Sequence, residues 1–175
     1  EYCLNNAHES TLFLKRNDDF PINKPCRVAL FGNGARNTIK GGTGSGDVVS
    51  RCFVTFEQGL INKGFEITTS TWLDQYQIIR DSWRKSYVKR IKKEARQKAI
   101  LAAYYCMGAF ENEHDYDIDI STYDGDIAIY VLSRNSGEGN DRRIVKGDVL
   151  LSDTEIKDIK FLNSKFKKFM LVLNV

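Results

Sequence analysis

Ile127-Ala128-Ile129-Tyr130-Val131-Leu132 is an unbroken apolar stretch rich in β-branched residues, which reads as a strand covered on both faces of a parallel sheet. The polar run that follows, Ser133-Arg134-Asn135-Ser136-Gly137-Glu138-Gly139-Asn140-Asp141-Arg142-Arg143, holds one glutamate between two glycines. It therefore leaves the carboxyl end of a strand. In open α/β sheets ligands bind at that edge, and flanking glycines let a short loop push one carboxylate outward. Glu138 is the candidate for chemistry. The spacing alone suits an ordinary surface turn better, with Asp141, Arg142 and Arg143 as solvated charges that add little to stability, so other signals must decide.

Working outward, strand-like and helix-like segments alternate, the pattern of βαβ units around a mainly parallel sheet. Residues 27–31 read as a first strand ending in Gly32-Asn33-Gly34. A glycine-rich loop follows, Gly41-Gly42-Thr43-Gly44-Ser45-Gly46-Asp47, then an amphipathic helix over residues 50–63 with Gly64 at the left-handed C-cap position. Residues 65–69 read as the next strand. Trp83, Tyr87, Ile91 and Ala95 recur every fourth residue, predicting a helical stretch over residues 76–107, as one helix or two. Residues 111–126 are acidic and irregular and read as an exposed connection. Ser152-Asp153-Thr154-Glu155 matches a capping box, predicting a helix to about residue 164. Residues 168–175 read as a buried strand with nothing after it, as in a cut through a larger protein. The fold class expected is α/β.

At 175 residues and 42% hydrophobic, the chain has material for one well-packed core. A net charge of +3 neither demands nor excludes a polyanionic partner. Cys3, Cys26, Cys52 and Cys106 lie far apart, and His8 and His114 have no partner at ligand spacing. Free thiols, no metal and no cofactor are expected. The longest apolar run, residues 100–110, is about half the ~20 residues a membrane helix needs. The cysteine spacing leans toward a reducing, cytoplasmic compartment, while localisation and assembly of copies stay open.

Three further patterns are weaker. Gly32-Asn33-Gly34 after a strand suggests a dinucleotide fingerprint, but its third glycine would fall at Asn37 and no acidic residue closes the second strand. The glycines of residues 41–46 suit a phosphate loop, yet Asp47 stands where lysine should, and a carboxylate repels phosphate. Residues 80–98 are strongly basic, but their aromatics share one stripe, so a solvated helix face is the better reading than a nucleic-acid footprint.

Three separated motifs agree with one family. They are His8-Glu9-Ser10-Thr11-Leu12-Phe13-Leu14-Lys15-Arg16-Asn17 with Phe20-Pro21-Ile22; Lys40-Gly41-Gly42-Thr43-Gly44-Ser45-Gly46-Asp47; and residues 133–143 with Lys146-Gly147-Asp148 behind them. On these the chain resembles the α/β-sandwich domain of glycoside hydrolase family 3, the β-glucosidase family. The resemblance implies a three-layer α/β/α sandwich over residues 27–175, reached through a lead-in segment or linker over residues 1–26. It implies a truncated fragment of a two-domain retaining glycosidase whose (β/α)8 barrel carries an aspartate nucleophile, a motif not found here. Carried over by motif, Glu138 looks like the general acid/base and Ser45 like a contact to a sugar hydroxyl. Gly44, Gly46, Asp47, Gly137, Gly139, Asp141 and Arg142 look like loop-supporting residues. The implied partners are a β-linked glucoside or oligosaccharide and the barrel domain, with no nucleic acid and no membrane. The alternatives are a non-catalytic carbohydrate-binding or interface module of the same fold, and a nucleic-acid binder using residues 80–98.

Overall fold

The computed structural model describes residues 11, 12, 14, 19–42, 49–98, 112–135 and 142–175. Among them lie strands β1 (Arg27–Phe31), β2 (Glu66–Ile67), β3 (Ile127–Ser133) and β4 (Phe169–Asn174), with helices α1 (Phe56–Asn62), α2 (Ser70–Lys98) and α3 (Asp153–Lys165). The strands form one sheet in the order β2-β1-β3-β4, and every pairing is parallel. The fold is α/β, as the alternation predicts. The chain steps from β1 to β2 in one direction, then crosses back past β1 to β3 and on to β4. Since such crossovers are right-handed, α1 lies on one face and α2 and α3 on the other. Tyr116 bears on that second face. Its ring packs edge-on against Trp72 and Tyr76 of α2, while its hydroxyl donates to Asp158 Oδ2 of α3 at 2.9 Å.

The two central strands carry the core. Residues 28–31 of β1 and all of β3 are buried. Trp72, Leu73 and Tyr76 come down from α2, and Leu162 and Phe166 from the end of α3. Phe31 meets Trp72 edge-on at 5.1 Å, and Trp72 stacks on Tyr76 at 5.3 Å. Each such side chain, fully covered, contributes about 1.5–3 kcal/mol.

Several boundaries differ from the sequence reading. Helix α1 starts at Phe56 rather than residue 50, because Thr55 caps it: the threonine side chain accepts from Gln58 N at 3.1 Å. Gly64 follows with φ of +85°, as expected. Strand β2 is two residues long because Thr69 leaves the ladder; its Oγ1 accepts from Leu30 N at 2.9 Å and donates to Leu30 O at 2.6 Å. Helix α2 then begins at Ser70, six residues before the expected start, and runs unbroken to Lys98, about 43 Å at 1.5 Å per residue. Tyr87 and Ile91 are buried. Residues 99–107 of the expected helix lie outside the described residues. The capping box is present, with Glu155 N donating to Ser152 Oγ and Ser152 N to Glu155 Oε2.

Two larger corrections concern burial. Strand β4 is not buried: it pairs with β3 alone among the described strands, and Leu171 and Leu173 are 41% and 61% exposed. An apolar run by itself does not separate a central strand from an edge. Nor is the acidic connection merely exposed. Tyr116, Ile118 and Tyr123 pack against the core and Ile120 is buried in it, so residues 112–126 cover one face of the sheet. No described helix is long and apolar enough to cross a membrane.

Candidate functional site

The order in which strands are added to the sheet reverses between the parallel neighbours β1 and β3, and in open α/β sheets the crevice outside the carboxyl ends of such strands is where ligands bind. Here β1 turns sharply through Gly32-Asn33-Gly34 and presses against β3. Gly34 N donates to Val131 O at 3.0 Å, and a Cβ would sit 2.4 Å from Val131 O at Gly32 and 2.1 Å from Ser133 Oγ at Gly34. These glycines admit a close backbone crossing. That explains the fragmentary dinucleotide pattern without a nucleotide.

Side chains continue the ladder past its last backbone rung. Asn33 Oδ1 accepts from Ser133 N at 2.7 Å, and its Nδ2 donates to Ser133 O at 3.1 Å. Asn174 Oδ1 accepts from Ile39 N at 2.6 Å and from Ser133 Oγ at 2.8 Å, while Nδ2 donates to Ile39 O at 3.0 Å.

Behind them lies a charged network. Arg134 Nη2 donates to Glu155 Oε2 at 2.6 Å, Nε to Asp148 O at 2.7 Å and Nη1 to Ser133 O at 3.0 Å. The two side chains of this ion pair are only 11% and 1% exposed, so each depends on the other for charge compensation. Arg142 donates from Nη1 to the Asn135 carbonyl and pairs through Nε with Asp148 Oδ1. Asp148 Oδ2 in turn accepts from Arg143 N at 3.0 Å.

Glu113 closes the crevice. Tyr76 OH donates to its Oε1 at 2.7 Å and Asn33 Nδ2 to its Oε2 at 3.0 Å. Burial, the largest influence, pushes the carboxyl above the usual carboxylate range, and the Tyr76 and Asn33 hydrogen bonds pull the other way. Its backbone N donates to Gly147 O at 2.8 Å. Gly147 has φ of +75°, and a Cβ there would meet Glu113 O at 1.9 Å. Together with Asn33, Arg80, Asn135 and Arg142, Glu113 lines a polar cavity of about 50 Å³. That volume suits a few waters and not a sugar ring.

No family model matches the chain. It is 29% identical to β-glucosidase A of Butyrivibrio fibrisolvens over 97% of its own length and 21% of that protein. To a β-glucosidase of Ruminococcus albus it is 26% identical over 95% of its length and 17% of the relative. Among solved structures, β-glucosidase 3B of Thermotoga neapolitana in complex with glycerol matches at a TM-score of 0.64 and 30% identity, over 93% of this chain and 22% of that one. The complex of the same enzyme with glucose matches at the same TM-score. The chain is a family 3 β-glucosidase-like domain. It spans about a fifth of the length of these relatives.

In this β-glucosidase-like domain, Glu138 and Ser45 lie outside the described residues, as do Gly44, Gly46, Asp47, Gly137, Gly139 and Asp141. Arg142 is described, and it ties Asn135 to Asp148. The described stems of the two loops come together: Asn174 joins Ile39, just before the glycine-rich loop, to Ser133, just before the Glu138 loop. Cys26 and Cys52 are free thiols, while Cys3 and Cys106 lie outside the described residues. Arg80, read as part of a solvated face, instead donates to Asn37 Oδ1 at 2.8 Å and lines the cavity. Sequence reasoning missed Asn33, Glu113 and Asn174 as site residues. Glu155 gave a signal as a helix cap, but nothing local announced that the same carboxylate would hold Arg134.

Proposed function

We propose that this chain supplies the general acid/base, Glu138, of a retaining β-glucosidase, and that a (β/α)8 barrel domain of the same polypeptide supplies the aspartate nucleophile. Residues 27–175 are then the sandwich domain and residues 1–26 the link to the barrel. The observation that carries this reading is the likeness over 93% of the chain to β-glucosidase 3B, a structure solved with glucose. The convergence of both loop stems at the carboxyl edge supports it. A retaining mechanism needs two carboxyl groups about 5–5.5 Å apart across the scissile bond, one ionised to attack and one protonated to donate to the leaving oxygen. Glu138, between two glycines, is the group that donates and then, as base, activates water. Ser45 contacts a hydroxyl of the terminal sugar, where neighbouring glycines leave the approach open. Asp47, Asp141 and Arg142 brace the loops. The substrate class is β-linked glucosides or short oligosaccharides that release terminal glucose.

The test is Glu138→Gln in the full-length protein. Turnover of unactivated glucosides should fall by about 10²–10⁴-fold, with azide restoring part of the rate on activated aryl glucosides. An unchanged rate on unactivated glucosides would leave a non-catalytic module of the same fold as the reading. The isolated chain, holding one of two carboxylates, should be nearly inactive.

A further inference from the structure

We propose that Asn33 and Asn174 are positioning residues that together fix the spacing between the glycine-rich loop and the acid/base loop, an inference that rests on the reading of Glu138 above. Each side-chain amide faces the N–H and C=O of a single residue with its own acceptor and donor: Asn33 with Ser133, Asn174 with Ile39. A neighbouring strand would do this along its whole length. An amide does it at one point only, at the end of the ladder, where each loop departs. The two clamps share a residue, because Asn174 Oδ1 also accepts from Ser133 Oγ at 2.8 Å. Ile39 and Ser133, distant in sequence, are therefore held by one planar group.

The chemistry requires an amide in both places. A carboxylate keeps the acceptor but sets a second oxygen against the Ile39 or Ser133 carbonyl, and an aliphatic side chain leaves both backbone groups unpaired. Displacing one stem relative to the other shifts the acid against the sugar it must protonate. Acid catalysis is sensitive to this, since misplacement by about 1 Å costs on the order of 10²-fold.

The test compares Asn174→Asp, Ser133→Ala and Glu138→Gln in the full-length enzyme. KM and kcat are measured on an alkyl β-glucoside, whose leaving group needs a proton, and a dinitrophenyl β-glucoside, whose leaving group does not. In Asn174→Asp, kcat/KM, which reports the step that expels the leaving group, should fall about 10- to 100-fold on the alkyl glucoside and by less than about threefold on the dinitrophenyl glucoside. Ser133→Ala, which removes one shared hydrogen bond, should move the same ratio in the same direction by less. Equal losses on both substrates, or none, overturn the positioning role. Should Asn174→Asp fail to fold, Ser133→Ala decides alone, and an unchanged ratio overturns it. A flat leaving-group response in Glu138→Gln refutes the acid/base assignment itself, an outcome separate from failure of the clamp.

Discussion

Thr69, Asn33 and Asn174 each do with a side chain what a strand backbone does elsewhere in this sheet. Thr69 is fully buried and satisfies both the N–H and the C=O of Leu30. Thr69→Val keeps the shape and strands both groups, so urea denaturation should show a loss of about 2–5 kcal/mol, with Thr69→Ser near the parent. Gly147→Ala should be at least as harmful, because it adds a methyl where Glu113 O sits 1.9 Å away and the backbone is left-handed. Asp158 bears on pH. Burial above all raises its carboxyl to about 6, while the Tyr116 hydrogen bond and Lys157 act to lower it and Glu155 to raise it. The folded state thus holds this proton more tightly than the unfolded chain. Its contribution to stability is complete below about pH 4 and is lost as pH rises through about 6. Asp158→Asn should therefore melt higher than the parent at pH 7, by a few degrees for each ~1 kcal/mol regained, and show no advantage near pH 4.

At the level of elements, α3 shows how a local signal acquires a long-range duty. Ser152 and Glu155 form the capping box read from four residues, and Ser152→Ala should cost about 1 kcal/mol in thermal or urea unfolding. Glu155 also compensates Arg134, 21 residues away in sequence, within the buried pair. Glu155→Ala should therefore cost about 3–5 kcal/mol, well beyond a cap, because it leaves a buried guanidinium uncompensated. Glu155→Ala with Arg134→Met in one chain should recover part of that loss, which a purely helix-capping role would not allow. Helix α2 divides along its length. Its first turns put Trp72, Leu73 and Tyr76 into the core, whereas Arg84, Lys85, Lys89 and Arg90 farther on are exposed.

For the whole molecule, the decisive feature is the reversal of strand order between β1 and β3, which gathers the ends of three strands into one polar crevice. Much of this was legible beforehand. The apolar run of β3, the bounds of β1 and the capping box of α3 depend on near neighbours in the chain, and periodicity with capping chemistry records such dependence. The motifs around Ser45 and Glu138 likewise pointed to the β-glucosidase family without coordinates. Sequence by itself therefore determined the α/β class, the order of elements and the kinship. Only the tertiary structure decided that β2 stops at Ile67 in favour of the Thr69 side chain, that β4 is an edge, that residues 112–126 cover the core, and that Asn33, Glu113 and Asn174 meet at one rim. These outcomes follow from pairings between residues far apart in the chain. Which distant backbone group a buried amide, hydroxyl or carboxylate will satisfy is set by where the strands end in space, and no local pattern carries that information.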